Sequence, residues 1–293
     1  TLDSCSNNST SSVADQEEAS VMIGSALFCS LLFSSVFENT SALLYPALPD
    51  ELDFLSDVEK APPNDEQRLL RYLMRAYDRS VRPVYSAESH VSVKIGLTLA
   101  HIFNVDEKKQ VLSINVWLEQ EWKDELISWD PVDYGGITQF TVPTKFIWTP
   151  DIVLYNNAED FSGGIAQTNV AMWQDGTILW APPVKFHSTC KLDVAFFPFD
   201  DQICSLRFGS WIYDGNQVDV SNRSMTITMD KDSFMENGEW QVVATFVARH
   251  VNYFPCCPNI SYPDLTFTLH LRRKCLYYLY NIIIPCIMLS VSS

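Results

Sequence analysis

The sequence has little positive charge. Twenty lysines and arginines stand against 36 aspartates and glutamates, which gives a net charge of −16 at neutral pH. Because nucleic-acid binders neutralise phosphates with lysine and arginine, this imbalance excludes that class of protein. An acidic surface attracts cations instead, although most acidic proteins are simply soluble.

The chain of 293 residues also lacks the motifs of common catalytic sites. It contains no G-x-S-x-G nucleophile motif, no phosphate-binding Walker loop and no zinc-binding His-Glu-x-x-His motif. Its five histidines show no metal-ligand spacing; they are His90, His101, His187, His250 and His270. We therefore expect a protein that is not an enzyme and that has no cofactor and no metal site.

The composition is that of a secreted globular protein. Hydrophobic residues make up 47% of the chain and aromatic residues 13%, which indicates a packed core. Eight cysteines and several Asn-x-Ser/Thr sequons favour the secretory pathway. The sequons that we take as glycosylation candidates are Asn39, Asn222 and Asn259.

Residues 1–63 differ from the rest of the chain and are predicted to be a leader-like or disordered N-terminal extension. Residues 1–20 are rich in serine, threonine, asparagine and acids, which is typical of disorder. The apolar run Val21 to Phe37 fits a processed leader, a packed helix or a membrane anchor, and its acidic flank is unusual for a signal peptide. Residues 38–63 contain several prolines and indicate a linker.

A helix is predicted from Asn64 to Ser80. Asn64 is a good N-cap, and Gln67 three residues later completes a capping box. The apolar residues recur at helical spacing and share one face; they are Leu69, Leu70, Leu73, Met74 and Tyr77.

After Arg82-Pro83 the hydrophobic period changes from helical to two. Two long strands are predicted from alternating apolar residues, which are Val91, Val93, Ile95, Leu97 and Leu99 in the first and Leu112, Ile114, Val116 and Leu118 in the second. This phase places Trp117 on the face opposite the core, an unusual position for so much apolar area. Shorter strands are predicted over 137–142, 152–155, 177–180, 203–208, 225–229, 240–251 and 265–271. The fold class is therefore mainly β, with a β-sandwich over 64–274 that begins with the N-terminal helix.

The last residues, 275–293, contain no charged side chain and follow directly on Arg272-Arg273-Lys274. Tyr277, Tyr278 and Tyr280 are typical of the aromatic belt at a membrane surface. Nineteen residues are about the minimum for a membrane helix, so we expect the start of a transmembrane helix, cut within its length. Pro285 would kink this helix but is tolerated in membranes.

Cys190 and Cys204 enclose thirteen residues with Phe197-Pro198-Phe199-Asp200 at their centre. A disulfide between them would remove roughly 3 kcal/mol of unfolded-chain entropy, and a proline between two aromatics is typical of a tight turn or a cis peptide bond. The cysteine spacing alone fits an ordinary disulfide hairpin of a secreted β domain. With the Phe-Pro-Phe-Asp centre, the loop resembles the signature of the Cys-loop (pentameric ligand-gated ion channel) receptors.

Further motifs extend this resemblance from about residue 64 to the end of the chain. They are Val116-Trp117-Leu118, Trp148-Thr-Pro-Asp151, Leu154-Tyr155-Asn156-Asn157-Ala158, Gly209-Ser-Trp211-Ile-Tyr213, Cys256-Cys257 and Tyr262-Pro-Asp264. Together they resemble the α-type subunits of nicotinic acetylcholine receptors. The resemblance implies an extracellular ectodomain at the plasma membrane, a pentamer of identical or related subunits, and acetylcholine or a choline-like amine as the agonist.

The same resemblance implies an agonist site between subunits. On composition alone the aromatic residues fit core packing as well as a cation box, in which each ring contributes about 0.5–2 kcal/mol to holding a quaternary ammonium. The resemblance favours the box and implies a principal face made of Tyr155, Trp211, Tyr253, Phe254, Cys256, Cys257 and Tyr262. In it Cys256 and Cys257 would be joined by a disulfide, and Trp211 would be the main cation–π partner. Trp117 would belong to the complementary face, which packs against ligand held by a neighbouring subunit.

Two departures from the family pattern concern this site. Phe254 stands where the family has a tyrosine, whose hydroxyl works with a cation and an acid that match Arg207 and Asp264 here. On the complementary face, Ala171 and Ala181 stand where bulkier apolar residues are common. The first departure bears on loop-closure coupling and agonist preference, and the second bears on the complementary face.

The resemblance also implies a coupling zone that transmits binding to the pore. It comprises Glu107, Lys108, Phe197, Pro198, Phe199, Asp200 and Arg273, together with Arg207 and Asp264. A Glu107–Arg273 ion pair would link the sandwich to the membrane helix. The alternative is a solvated turn at Glu107 and a positive flank of the ordinary kind at Arg272 to Lys274.

The sequence thus predicts a subunit of a pentameric acetylcholine-gated cation channel. Two alternatives remain. One is a soluble acetylcholine-binding relative without a channel, and the other is an accessory subunit or adhesion sandwich that binds no agonist. The uncharged run at 275–293 favours the channel over the first alternative, and Trp211 with Cys256-Cys257 favours it over the second.

Overall fold

The computed structural model describes residues 63–159, 165–229 and 234–292. The predictions for residues 1–62, including the apolar run and the Asn39 sequon, lie outside these described residues.

Helix α1 comprises Asp65–Met74. The Asn64 side chain caps it by accepting a hydrogen bond from the backbone N–H of Gln67 at 2.8 Å. Leu69 and Leu73 are buried against the sheets. The helix is shorter than the predicted range and ends before Tyr77. The Tyr77 hydroxyl donates to Asp124 Oδ2 at 2.6 Å.

Two β-sheets form the body of the protein. One has eight strands in the order β10-β1-β2-β6-β5-β3, with β7 beside β2 and β9 beside β1. The other has four strands in the order β11-β12-β8-β4. The strands are β1 (Val91–Asp106), β2 (Val111–Lys123), β3 (Gln139–Pro143), β4 (Ile152–Leu154), β5 (Asn169–Trp173), β6 (Thr177–Trp180), β7 (Pro183–Thr189), β8 (Asp201–Ser210), β9 (Val218–Asn222), β10 (Thr228–Met229), β11 (Trp240–Phe254) and β12 (Cys257–Arg273).

The core lies between the two sheets. The alternation predicted for β1 and β2 is confirmed, because the apolar residues named for both strands are all buried. Phe186 of β7 contacts Phe208 of β8 with ring centroids 5.2 Å apart, and Phe208 contacts Phe267 of β12 at 5.7 Å. The first of these edge-to-face contacts joins the eight-stranded sheet to the four-stranded sheet, and the second lies within the four-stranded sheet.

Some strand boundaries differ from the prediction. The range 225–229 contains only β10, which pairs with β1 in parallel at Thr228 and Met229. Strands β5, β7 and β9 were not predicted, since none shows a long apolar alternation of its own. β7 runs along β2 and β9 along β1, so pairing with a long strand decides these two elements, whereas β5 pairs with the short strands β3 and β6.

The loop between Cys190 and Cys204 is closed by a disulfide, with Cα atoms 5.2 Å apart. The peptide bond between Phe197 and Pro198 at its centre is cis. Both features match the prediction for this loop.

The chain after β12 is helical in three pieces. They are helix α2 (Leu276–Tyr278), a π-helix (Leu279–Ile283) and helix α3 (Ile284–Ser292). The π-helix ends two residues before Pro285, which has no N–H to give and whose ring crowds the preceding turn. Within the three described ranges, no helix combines the length and the apolar character needed to cross a membrane.

Candidate functional site

The loop that carries Trp211 is anchored by Asp151. The Ser210 hydroxyl donates to Asp151 Oδ1 at 2.6 Å, and the Ile212 backbone N–H donates to Asp151 Oδ2 at 2.9 Å. The Trp211 N–H donates to the Asp151 carbonyl oxygen at 3.2 Å. One acidic side chain therefore fixes the turn after β8, and the Trp211 side chain projects from it with 64% of its surface exposed.

Tyr155 lies beside this turn, directly after β4. Its hydroxyl donates to the Ser210 carbonyl oxygen at 2.7 Å, and its ring lies 5.6 Å from the Arg207 guanidinium. Burial raises the pKa of Tyr155 above its usual value, and the Asp264 carboxylate raises it further. Gly209 makes the close approach possible, because a Cβ at this position would lie 2.8 Å from Tyr155 Cζ.

The third part of the site is the hairpin formed by β11 and β12. Phe254 near its tip packs edge-to-face on Tyr262, with ring centroids 5.2 Å apart. Tyr253 is exposed and pairs across the hairpin with Ser261. The Ser261 carbonyl oxygen accepts from the Gly215 N–H at 2.7 Å, which ties the hairpin to the segment after Trp211.

The predicted disulfide between Cys256 and Cys257 is wrong for this structure, where both are free thiols. Phe254 pairs with Cys257, so Pro255 and Cys256 form the turn of the hairpin. Adjacent cysteines join only through a strained ring, and the pairing of β11 with β12 shifts register between Tyr253 and Phe254, directly before this turn. A hydrogen bond with the Cys256 thiol raises the pKa of Cys257.

Arg207 and Asp264 form an ion pair at the base of the hairpin, as the resemblance implied. Arg207 Nε donates to Asp264 Oδ2 at 2.9 Å, and Arg207 Nη2 contacts the same oxygen. Asp264 is fully buried, although Arg207 is partly exposed. No tyrosine hydroxyl joins this pair within the described residues; the Asn252 side chain donates to Asp264 Oδ2 instead. Asp264 Oδ2 thus accepts from a guanidinium and from an amide.

The predicted ion pair between Glu107 and Arg273 is present. Arg273 Nη2 donates to Glu107 Oε1 at 2.8 Å, and the same guanidinium makes a two-pronged contact with Asp200, at 2.8 Å to Oδ1 and 3.0 Å to Oδ2. The side chains of Arg273 and Asp200 are almost wholly buried. Burial opposes both charges, but hydrogen bonds to the two carboxylates raise the pKa of Arg273, and bonds from Arg273 and Gln202 lower that of Asp200.

Aromatic rings surround the Arg273 guanidinium. It lies 4.3 Å from the Trp240 ring, 5.0 Å from the Phe197 ring and 5.5 Å from the Tyr278 ring. Phe197 and Tyr278 also contact each other, with centroids 5.0 Å apart. The disulfide loop, the end of β12 and the first helical turn after it thus meet at one arginine.

The remaining residues of the predicted coupling zone are placed around this arginine cluster in different ways. Lys108 is exposed in the turn between β1 and β2. In the disulfide loop, Pro198 is buried and Phe199 is exposed.

Trp117 lies apart from the principal-face residues. It belongs to β2 of the eight-stranded sheet, opposite Pro183 of β7, and 37% of its surface is exposed. Tyr155, Trp211 and Tyr262 belong to or directly follow strands of the four-stranded sheet. The predicted outward phase of Trp117 is confirmed.

The two sequons within the described residues differ in access. Asn259 is exposed near the hairpin tip. Asn222 is half-buried in β9, and its side-chain amide donates to the Ser224 carbonyl oxygen at 3.1 Å. Across the described ranges, no group of three or more His, Cys, Asp or Glu side chains is arranged to hold a metal ion.

Sequence reasoning left out three residues that build the site: Asp151, Gly209 and Asn252. Asp151 and Gly209 occur within the motifs Trp148-Thr-Pro-Asp151 and Gly209-Ser-Trp211, so the motifs contained a signal for them. Asn252 had no such signal, because its contact with Asp264 depends on the register of β11 and β12.

Comparison with known proteins identifies the class to which this fold and site belong. Residues 66–275 match the family model described as the neurotransmitter-gated ion-channel ligand binding domain. The match covers most of the chain, so the chain belongs to this family. The family is one of ligand-gated ion channels and not of enzymes.

Individual relatives are acetylcholine receptor α subunits. The chain is 43% identical over 239 residues to acetylcholine receptor subunit alpha-like 2 of Drosophila melanogaster, a match that covers 78% of this chain and 41% of the relative. It is 41% identical over 236 residues to acetylcholine receptor subunit alpha-L1 of Schistocerca gregaria, covering 78% of this chain and 42% of the relative. It is 42% identical over 225 residues to neuronal acetylcholine receptor subunit alpha-2 of Homo sapiens, covering 77% of this chain and 42% of the relative. The chain therefore spans about two fifths of the length of these curated relatives.

Proposed function

We propose that the protein is a subunit of a pentameric cation channel that opens when acetylcholine or a choline-like amine binds between subunits. The observation that carries this proposal is the convergence of Trp211, Tyr155 and the hairpin at one end of the four-stranded sheet. Hydrogen bonds accepted by Asp151 and by the Ser210 carbonyl oxygen join the first two, and the bond from the Gly215 N–H to Ser261 joins the hairpin to them.

The chemistry of these groups suits a quaternary ammonium ion. Such an ion has no N–H to donate, so it is held by ring faces and not by hydrogen-bond acceptors. Trp211, Tyr253 and Phe254 present large exposed aromatic surfaces, with Tyr155 and Tyr262 beside them. The negative charge of the whole protein raises the local concentration of cations near such a surface.

The placement of Trp117 supports assembly from several subunits. One subunit carries Trp117 and the principal-face aromatics on different sheets. A neighbouring copy or a related subunit would bring its own Trp117 to the ligand, as a head-to-tail ring arrangement does. Ala171 of β5 pairs with Leu179 of β6 on the same sheet and leaves room on this complementary face.

We further propose that the chain after β12 contacts the membrane and that the cluster around Arg273 couples binding to the pore. Leu276, Tyr277 and most apolar side chains of α3 are exposed, and no charged residue occurs from Cys275 onwards. Arg273 joins Glu107 and Asp200 to the start of this segment through Tyr278.

Binding of radiolabelled choline or acetylcholine to the protein tests the site. Trp211→Ala should weaken binding by roughly 5- to 30-fold, because a desolvated cation–π contact contributes on the order of 1–2 kcal/mol. The matched control is Tyr85→Ala, which removes another exposed aromatic residue far along the chain from the site. Equal binding by the native protein and Trp211→Ala would contradict the assignment.

Currents in cells that express the complete gene product test the channel. Agonist-evoked inward current that Trp211→Ala weakens, with unchanged surface expression, would support the proposed function. Binding without current, alone and with related subunits, would favour the soluble acetylcholine-binding alternative.

A further inference from the structure

Asp264 has one carboxylate oxygen without a hydrogen-bond donor. Its Oδ2 accepts from Arg207 and Asn252, but among the described residues none donates a hydrogen bond to Oδ1, which is shielded from solvent. A buried carboxylate oxygen without a donor costs free energy. The side chain is 0% exposed, so bulk water does not replace the missing donor.

His250 is placed to supply that donor. It lies directly opposite Asp264 in the pairing of β11 with β12, so both side chains are on the same face of the sheet. His250 Nδ1 is 3.4 Å from Asp264 Oδ1 and 3.3 Å from Thr266 Oγ1, and about half of the His250 side chain is exposed to solvent. The imidazole therefore covers the unpaired oxygen and is itself open to protons from solution.

We propose that His250 is a positioning residue that acts through Asp264 when it is protonated. A neutral imidazole carries its proton on only one of its two nitrogens, whereas the charged form donates from both. The protonated Nδ1 then donates a hydrogen bond to Asp264 Oδ1, while Arg207 and Asn252 continue to donate to Oδ2. The base of the hairpin becomes more ordered in acid and less ordered as the pH rises.

The other charged groups nearby permit this pairing. Asp264 of β12 faces His250. Arg207 of β8 pairs with Asp264 and already balances the negative charge of that carboxylate. Tyr155, which follows β4, lies under Arg207 and adds no charge at these pH values. On β11 itself, Arg249 is engaged by Asp219 of β9 at 2.6 Å, so it does not compete for Asp264.

The consequence for ligand binding rests on the proposed function. Asn252, Tyr262 and Asp264 belong to the hairpin that carries the aromatic residues, and Arg207 contacts Tyr155. When the base of this hairpin is already ordered, the chain loses less conformational entropy as the ligand binds. Quaternary amines should therefore bind a few-fold more tightly at about pH 5.5 than at about pH 8.

The first test measures backbone hydrogen exchange in the hairpin in the absence of ligand. Hydrogen exchange of residues 250–254, corrected for the intrinsic pH effect, is compared at about pH 5.5 and about pH 8. We expect stronger protection in acid for the native protein and no pH difference for His250→Gln. His250→Lys, which stays charged at both values, should keep the protection at both. The matched control is His270→Gln, because His270 also faces an aspartate, Asp201 at 3.2 Å, in the same sheet.

Two outcomes overturn the inference. One is an unchanged pH difference in His250→Gln, and the other is loss of protection in His250→Lys at both pH values. The second test repeats the comparison with tetramethylammonium binding and the same four proteins. A His250-dependent change in hairpin protection with no binding at either pH would contradict the proposed function and leave the pairing of His250 with Asp264 in place. Binding that tightens in acid equally in His250→Gln would overturn the link from His250 to the site.

Discussion

Arg273 and Asp200 form a buried ion pair in which two nitrogens of the guanidinium meet two carboxylate oxygens, at 2.8 and 3.0 Å. The residues are 73 positions apart in the chain, one at the end of β12 and the other in the disulfide loop. Gln202 donates to the same carboxylate at 2.6 Å, so the negative charge is fully satisfied. The pair holds the disulfide loop against the strand that leads to the C-terminal helices.

Asp200→Asn should destabilise the protein strongly. It leaves the guanidinium of Arg273 buried with only the more exposed Glu107 to balance it, and removing one partner of a buried pair costs about 3–5 kcal/mol. The measurement is urea unfolding at neutral pH. Asp201→Asn is the matched control, because the adjacent Asp201 pairs with Arg272 at the surface. This variant should lose much less stability than Asp200→Asn. Similar losses in the two variants would contradict the importance of the buried pair.

The protonated form of Asp124 stabilises the folded protein at acidic pH. Burial raises the pKa of Asp124 to about 6, even though the Tyr77 hydroxyl and two backbone N–H groups lower it. Since this value lies above the unfolded value of about 3.9, the native state binds the proton more tightly. The contribution is therefore fully present below about pH 4 and is lost as the pH rises through about 6.

Asp124→Asn should be more stable than the native protein at neutral pH, by up to about 3 kcal/mol, because the amide needs no proton to stay neutral. The difference should disappear near pH 4. Urea unfolding at several pH values checks this prediction. A variant that is equally destabilised across the whole range would show that Asp124 acts only through its hydrogen bonds.

Asp151→Asn should weaken agonist binding without unfolding the sandwich. The amide keeps one acceptor, so either the Ser210 hydroxyl or the Ile212 N–H loses its partner, and the turn that carries Trp211 loosens. A lost hydrogen bond to a charged group costs about 1.5–3 kcal/mol, which corresponds to at least a tenfold loss in choline affinity if it falls on the bound state. Asp130→Asn is the control, because Asp130 accepts from the Val132 N–H in a similar turn outside the site. Full affinity in Asp151→Asn would contradict this role.

Gly209→Ala should displace Tyr155. The new methyl group would meet the phenol ring well inside van der Waals distance, so the ring must move and its hydroxyl leaves the Ser210 carbonyl oxygen. We expect weaker choline binding, similar to that of Tyr155→Ala. Gly238→Ala is the matched control, since a Cβ there has no atom within 4 Å. If Gly209→Ala binds normally and Tyr155→Ala does not, the close packing at Gly209 is not needed for the site.

The parts of the site that could be predicted are those that a short stretch of sequence carries. Trp117 faces outward because its neighbours at even positions are apolar, and this alternation needs no tertiary information. Asp151 was visible as part of a motif, but its role was not, because its bonds run to residues about 60 positions later. The resemblance implied a disulfide between Cys256 and Cys257, whereas both are free thiols in the structure.

The sequence by itself determined the mainly β fold, the family, the outward position of Trp117 and the residues of the disulfide loop. These follow from local periodicity and from contiguous motifs, which are properties of neighbours along the chain. Only the tertiary structure decided that Arg273 meets Asp200 as well as the predicted partner Glu107, that Asn252 donates to Asp264, and that His250 lies beside the second oxygen of Asp264. The physical reason is that these contacts depend on strand register and on sheet packing, which bring together charges that are distant in sequence.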